Sequence, residues 1–140
     1  MPRSTLTEQR TIERFRPRYG QRATDAERAI ERAAIGGNVG ANGYTTVAQA
    51  DRMGRLLALG PGKALLDIGC GRGYPALYLA EKTGCRAVGV DLPVESLHAG
   101  LRRARRQRVA GRTDLAAASA AHLPFRPRSF DAIVHTDVLC

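Results

Sequence analysis

Short apolar runs alternate with stretches of helical periodicity in the second half of the chain, and this alternation restricts the fold most. The apolar runs occupy residues 64–68, 87–91, 115–119 and 130–135. Helical patterns occupy residues 75–82 and 95–110. Strands that alternate with helices form a mainly parallel sheet covered by helices on both faces. The sequence therefore predicts a doubly wound α/β fold.

A glycine-rich turn follows the first apolar run. Residues 67–73 are Asp-Ile-Gly-Cys-Gly-Arg-Gly, so Gly69, Gly71 and Gly73 occupy alternate positions. Glycines at this spacing permit a tight turn and remove Cβ atoms where a ligand approaches the backbone. The helix that begins directly after the turn exposes N–H groups, which favour an anionic group. We expect a ligand site at this turn.

An acidic residue ends the second apolar run. Asp91 lies 22 residues after Gly69, and an acid at this spacing accepts hydrogen bonds from both ribose hydroxyls in nucleoside-cofactor folds. The dinucleotide fingerprint requires a glycine where this chain has Tyr74, so the pattern is D-x-G-x-G-x-G instead. On the loop alone, an NAD-type turn or a purely structural glycine turn stays open.

The loop resembles the S-adenosylmethionine-binding loop of class I methyltransferases. Residues 119–125, Ser-Ala-Ala-His-Leu-Pro-Phe, are similar to the family's D-A-x-x-L-P-F segment. Residues 129–134, Ser-Phe-Asp-Ala-Ile-Val, resemble its fourth strand. The resemblance covers roughly residues 44–140 and implies a Rossmann-like sheet. It also implies S-adenosyl-L-methionine as cofactor and transfer of its methyl group to an unidentified acceptor, which we expect to be a small molecule.

The resemblance further implies which residues contact the cofactor. The loop backbone would face the methionine part, Asp91 the ribose and Leu92 the adenine. Ser119 stands where the family has an aspartate beside the adenine amino group, and since a hydroxyl carries no charge, we expect a weaker or altered contact there. The complete expected set is Tyr44, Asp67, Gly69, Cys70, Gly71, Gly73, Asp91, Leu92, Ser119 and Ala120.

Three candidate residues have an alternative role. Asp67 either orients the loop and reaches the cofactor's ammonium through water, or caps loop N–H groups. Tyr44, with Thr45 and Thr46, either closes over the methionine end of the cofactor or precedes an ordinary helix cap. His135 is a candidate general base, with a structural histidine at a strand end as the alternative. The sequence predicts no metal site.

The N-terminal part of the chain differs from the rest in composition. Residues 1–24 are polar and arginine-rich and predict a loosely ordered leader. A helix is expected over residues 26–34, with Asp25 as its N-cap. A glycine-rich loop over residues 36–43 and a helix over residues 46–59 follow.

The length of 140 residues permits one hydrophobic core, yet the family's sheet has seven strands. We expect an Arg-rich leader of residues 1–43 and a cofactor-binding half of residues 44–140, truncated after about four strands. The run at residues 130–135 would then be an apolar edge that a second copy of the chain could cover. Whether this chain is active stays open, and a non-catalytic truncated remnant is one alternative.

The net charge of +9 is concentrated in two places. One is the leader; the other is residues 102–112, which hold six arginines and no acid. We expect a solvated helix face and no nucleic-acid partner; a basic binding module for nucleic acid or an acidic protein is the alternative. No apolar run is long enough for a membrane helix. Three cysteines without paired spacing and the lack of a signal core favour a cytoplasmic protein.

Overall fold

The computed structural model describes residues 5–19 and 21–138. This part of the chain forms five helices and four strands. The helices are α1 (Leu6–Tyr19), α2 (Asp25–Ile35), α3 (Val47–Leu56), α4 (Ala76–Thr83) and α5 (Val94–Arg106). The strands are β1 (Ala64–Ile68), β2 (Arg86–Asp91), β3 (Thr113–Ala117) and β4 (Ala132–Val134). Within the described ranges, no helix is both long and apolar enough to cross a membrane.

The four strands form one parallel sheet in the order β3-β2-β1-β4. Leu66 of β1 lies opposite Val88 of β2 and Ile133 of β4. The chain order reverses on either side of β1, and in open α/β sheets ligands bind at the carboxyl ends of the strands beside such a reversal. The predicted Rossmann-like α/β fold is confirmed, and the sheet directs attention to the loops after β1 and β2.

The core lies around β1 and α4. Leu65 and Leu66 are almost completely buried, as are Leu79 and Ala80 of α4. A central parallel strand has neighbours on both faces, so its sequence is a continuous apolar run rather than an alternating one. For this reason the observed bounds of β1 coincide with the predicted residues 64–68.

The prediction of a loosely ordered leader is wrong for residues 6–19, which form α1. Thr5 and Glu8 cap this helix reciprocally. The Thr5 N–H donates to Glu8 Oε2 at 2.7 Å, and the Glu8 N–H donates to Thr5 Oγ1 at 3.2 Å. Thr-x-x-Glu is a capping-box signal. It was overlooked because α1 buries no residue and so has no apolar stripe to mark it.

Several boundaries also differ from the predictions. Thr24 rather than Asp25 is the N-cap of α2, in a capping box with Glu27. Helix α5 ends at Arg106 instead of residue 110, and Arg108 then adopts a left-handed φ of 57°. Strand β3 begins two residues earlier than predicted and β4 is shorter at both ends. None of these shifts moves the loops after β1 and β2.

Candidate functional site

The glycine loop that follows β1 has backbone angles that residues with a side chain rarely adopt. Gly69 and Gly71 have φ values of 74° and 54°. A Cβ at Gly69 would lie 2.4 Å from a methyl group of Val138, and a Cβ at Gly71 would lie 2.1 Å from the amide nitrogen of Asn42. Glycine is therefore required at both positions by the backbone angle and by the closeness of neighbouring segments.

Asp91 joins the end of β2 to the glycine loop. Its Oδ2 accepts a hydrogen bond from the Gly71 N–H at 2.6 Å, and its Oδ1 accepts one from the Leu92 N–H at 2.7 Å. The Val90 carbonyl accepts the Gly69 N–H at 2.8 Å. Burial raises the pKa of the Asp91 carboxyl, and the two N–H bonds act against this rise. The structure thus brings together the loop and the acid that the sequence singled out.

Asp67 is fully buried beneath the loop. Its Oδ2 accepts the N–H of Ala76 at the start of α4, at 3.2 Å, so the capping role is observed for one oxygen. The other oxygen, Oδ1, has no hydrogen-bond partner among the described residues. Burial, with a smaller contribution from the charge of Asp91, raises the pKa of Asp67 to about 7. Oδ1 therefore has capacity to accept a further hydrogen bond.

A cleft of about 540 Å³ opens above the glycine loop. The loop supplies Gly69, Cys70 and Gly71, and Tyr74 follows them. The segment before α3 supplies residues 41–45, and the segment after β4 supplies Thr136 and Asp137. The remaining wall comes from α1, through Arg14, Phe15, Arg18 and Tyr19. Sequence reasoning missed this wall, because it treated α1 as disordered.

Helix α1 crosses the carboxyl edge of the sheet. Arg16 Nε lies 2.7 Å from Glu95 Oε1, which ties α1 to α5. Near one end of the helix, the pKa of Tyr19 is raised by burial and by the negative charge of Asp91. Near the other end, the pKa of Glu8 is lowered, first by the Ser119 hydroxyl. The helix therefore extends from the Ser119 turn to Asp91.

The segment after β4 is fastened to the segment before α3. Asp137 Oδ2 accepts the Thr45 hydroxyl at 3.0 Å and the Thr45 N–H at 3.3 Å. Asp137 has a left-handed φ of 58°. Thr46, not Thr45, caps α3. The predicted helix cap is thus present, and Tyr44 lies in the cleft lining with 88% of its surface exposed.

Other predicted residues lie around the cleft or away from it. Ser119 accepts the Ala121 N–H at 3.3 Å in the turn after β3, and Ala120 is exposed there. His135 is exposed and is not among the residues that line the cleft. Cys70 is buried, which raises the pKa of its thiol well above the ordinary value and keeps it protonated.

Two further observations concern the cleft and its surroundings. The Tyr74 hydroxyl is buried without a partner among the described residues, and burial raises its pKa. In the described ranges, no cluster of His, Cys, Asp and Glu side chains could hold a metal ion. Cys140 lies outside the described residues.

Known proteins are similar to this chain in sequence and in fold. The family model described as "Methyltransferase domain" matches residues 66–140, more than half of the chain. The chain belongs to this methyltransferase family. The match includes the glycine loop, Asp91 and the segment after β3, which are the motifs that carried the resemblance.

Curated relatives are similar over the same part of this methyltransferase chain. Methyltransferase GfsG of Streptomyces halstedii is 38% identical over 77 residues, which covers 55% of this chain and 28% of the relative. The 27-O-demethylrifamycin SV methyltransferase of Amycolatopsis mediterranei (strain S699) is 33% identical over 88 residues, which covers 63% and 32%. The matches thus span about a third of the length of these two relatives.

A solved structure extends the likeness to nearly the whole chain. The geranyl diphosphate C-methyltransferase from Streptomyces coelicolor A3(2), in complex with Mg²⁺, geranyl diphosphate and S-adenosyl-L-homocysteine, has a TM-score of 0.68. It is 24% identical, and the match covers 96% of this chain and 55% of the other. This likeness shows a shared fold, which includes the part of the chain before β1.

Proposed function

We propose that the cleft above the glycine loop binds S-adenosyl-L-methionine, and that this chain is the cofactor-binding part of an enzyme that methylates a small molecule. The bridge that Asp91 makes from β2 to the Gly71 N–H carries the proposal. It fixes a carboxylate beside a loop in which Gly69, Gly71 and Gly73 lack Cβ atoms, at the carboxyl edge of a parallel sheet. Membership of the methyltransferase family supports the same conclusion.

The charged and polar groups in and beside the cleft fit the ribose and methionine parts of this cofactor. Asp91 and Asp67 adjoin the glycine loop, although they are not among the residues that line the cleft. Each Asp91 oxygen accepts one backbone N–H and keeps a lone pair for a ribose hydroxyl. Arg14 and Arg18 complement the negative charge of a methionine carboxylate. Asp67 Oδ1 and the Tyr74 hydroxyl are buried acceptors with capacity for an ammonium group or a water that contacts it.

The adenine end departs from the family pattern at Ser119, and α1 offsets this departure. Ser119 lacks the carboxylate that the resemblance leads one to expect. The carboxylate of Glu8 lies close enough to the Ser119 hydroxyl for the hydroxyl to lower the pKa of Glu8. Glu8 therefore brings a negative charge to the turn where we place the adenine amino group. Leu92 and Ala120 complete this proposed adenine site.

When bound, the cofactor supplies a methyl group on a sulfonium, which is already activated for transfer. The chain's residues then contribute position and exclusion of water. Helix α1 and Tyr44 cover the cleft, and the Thr45–Asp137 contact fixes its far wall. The name of the rifamycin methyltransferase identifies a small-molecule substrate for that relative, which supports a small-molecule acceptor here. We assign no general base, since His135 is not in the cleft lining.

Calorimetric titration of the chain with S-adenosyl-L-methionine and S-adenosyl-L-homocysteine tests the proposal. We expect both to bind, and Asp91→Ala to weaken binding by about 1–3 kcal/mol because its hydrogen bonds to the ribose are lost. Asp114→Ala is the matched control, since Asp114 is an exposed carboxylate on β3 that pairs with Arg86 at 3.2 Å. If the folded chain binds neither ligand, or if the two variants bind equally well, the proposal is wrong.

A further inference from the structure

A second cavity, of about 500 Å³, lies between α2, the glycine-rich loop that follows it, and α5. Within the described chain it shares no lining residue with the cofactor cleft. Six arginines from separate parts of the chain line it, and we call it the arginine pocket. They are Arg22, Arg28, Arg72, Arg102, Arg103 and Arg106. The proposed methyl transfer gives these side chains no role.

Neutral oxygen atoms hold two of these guanidinium groups in place. Arg103 Nη1 donates to the Asn38 carbonyl at 3.0 Å. Arg72 donates to Asn42 Oδ1 at 2.8 Å and to the Ala41 carbonyl at 3.3 Å. A carbonyl or amide oxygen orients a guanidinium without neutralising it. The positive charges of Arg72 and Arg103 are therefore positioned but are not neutralised by these contacts.

The cations also repel one another. Burial lowers the pKa of Arg103; the nearby charges of Arg106 and Arg72 lower it further, and Glu31 acts in the opposite direction. A Cβ at Gly40 would lie 2.6 Å from Arg103 Nε, so glycine at this position lets the guanidinium lie directly against the backbone. The pocket thus concentrates positive charge at a cost in electrostatic energy.

The carboxylate in the described lining is already engaged. Glu31 Oε1 accepts three successive backbone N–H groups, from Val39 at 3.0 Å, Gly40 at 2.7 Å and Ala41 at 2.9 Å. Successive N–H groups of this kind form a concave anion site, which Glu31 fills. Its single charge is shared with this backbone, and Asp25, outside the lining, pairs with Arg28. These two carboxylates balance only part of the charge of the six arginines.

We propose that the arginine pocket binds the diphosphate or triphosphate group of a small molecule, at a site separate from the cofactor cleft. A guanidinium presents two parallel N–H donors that match two phosphate oxygens, and several guanidiniums around one volume suit an anion with several charges. This proposal goes beyond the methyltransferase function and does not depend on it.

The shape of the site favours a compact anion over a nucleic acid. On α5, Arg102, Arg103 and Arg106 line the pocket, whereas Arg105 does not. The basic run is thus divided between the concave lining of the pocket and the rest of the helix surface. A duplex backbone is matched by basic side chains along an open surface, because its phosphates are spread along the helix axis.

Isothermal titration calorimetry of the full chain with inorganic pyrophosphate, at low ionic strength, tests this assignment. We expect binding that weakens by about tenfold in Arg106→Gln and in Arg102→Gln, because each removes one phosphate-facing guanidinium. The matched control is Arg105→Gln, which removes the same charge from the same helix outside the pocket and should change the affinity by less than about twofold. Circular dichroism verifies that each variant is folded.

A second titration separates the pocket from the cofactor cleft. With S-adenosyl-L-homocysteine present at saturation, we expect pyrophosphate to bind as before. Displacement of pyrophosphate by that ligand would place the anion at the glycine loop and overturn the assignment. Failure of S-adenosyl-L-homocysteine itself to bind would contradict the proposed function and leave the pyrophosphate titration as a separate result.

Three other outcomes contradict the proposal. The first is absence of pyrophosphate binding by folded protein at low ionic strength. The second is an equal loss of affinity in Arg105→Gln and Arg106→Gln, which would show a response to overall charge. The third is a duplex oligonucleotide that binds more tightly than pyrophosphate and is weakened equally by both substitutions, which would identify a nucleic-acid surface.

Discussion

Beside the glycine loop the principal charged group is the Asp91 carboxylate, which accepts backbone N–H groups, whereas most charged groups of the arginine pocket are guanidiniums, two of which donate to carbonyl and amide oxygens. Asp91 bonds to its neighbour Leu92 and to Gly71, 20 positions away in sequence. Arg103 instead bonds to Asn38, 65 positions away in sequence. The centre of the first site thus joins the ends of two consecutive strands, β1 and β2, whereas the second site joins α2, the loop after it and α5.

This difference affects stability as well as recognition. A group removed from the cleft leaves buried backbone donors without their acceptors, so the fold should weaken. A charge removed from the arginine pocket relieves repulsion, so the fold should gain a little stability. The four predictions below test this contrast, starting with the largest effect.

Gly69→Ala should disrupt the cleft most. The substituted residue would need a φ of 74° and would place its Cβ 2.4 Å from Val138, so we expect a loss of roughly 3–5 kcal/mol in the free energy of unfolding. Gly62→Ala is the control, because Gly62 has a similar φ of 83° with no atom within 4 Å of the added Cβ. Urea denaturation measures both, and equal losses would show that backbone strain alone decides the effect.

Asp67 should link stability to pH. Its pKa in the folded chain, about 7, lies above its ordinary value of 3.8. The stabilising contribution of the protonated group is therefore complete below about pH 3.8 and is lost as the pH rises through about 7. Asp67→Asn keeps a neutral acceptor for the Ala76 N–H and has no proton to lose.

Urea denaturation over a pH series measures this linkage. Between about pH 4 and pH 8, the free energy of unfolding of the original chain should fall by roughly 2–4 kcal/mol relative to Asp67→Asn. The comparison removes the contributions of other carboxyl groups, since these are common to both proteins. Parallel pH profiles would contradict the raised pKa.

The part of the molecule that could be predicted is the part whose signals are local. β1 and its loop combine a continuous apolar run with alternate glycines, and the predicted strand agrees with the observed one. β3 starts earlier than predicted because Thr113 is polar yet buried, with its hydroxyl donating to the Val109 carbonyl at 2.9 Å. The arginine pocket has only a partial local signal. The basic run at residues 102–112 supplies Arg102, Arg103 and Arg106, and the other three arginines join them only after folding.

Thr45→Val should have a moderate effect on the cleft. It removes the hydroxyl that donates to Asp137 Oδ2 and keeps the size of the side chain, so we expect a loss of about 0.5–1.5 kcal/mol in the free energy of unfolding. Thr11→Val, in the exposed helix α1, removes a hydroxyl that bonds only within its own helix, at 3.0 Å to the Thr7 carbonyl. A larger loss in Thr11→Val than in Thr45→Val would contradict the importance of the contact with Asp137.

Arg106→Gln should have the smallest effect, with the opposite sign. Since Arg106 repels Arg103, its replacement should raise the free energy of unfolding by roughly 0.2–0.5 kcal/mol at low ionic strength. The gain should vanish at high salt, which screens the repulsion. Arg105→Gln provides the comparison in thermal melts. If Arg106→Gln destabilises the fold and Arg105→Gln does not, repulsion between Arg106 and Arg103 does not limit stability.

Helix α1 forms one wall of the cleft although it buries no residue, and an ion pair between Arg16 and Glu95 fastens it to α5. Dissolved salt weakens an attachment of this kind, whereas the apolar packing around β1 is far less sensitive to it. The molecule therefore combines a sheet whose packing depends little on ionic strength with a helix, α1, whose attachment weakens as ionic strength rises. The residence time of a molecule in the cleft should therefore shorten as the ionic strength of the solution rises.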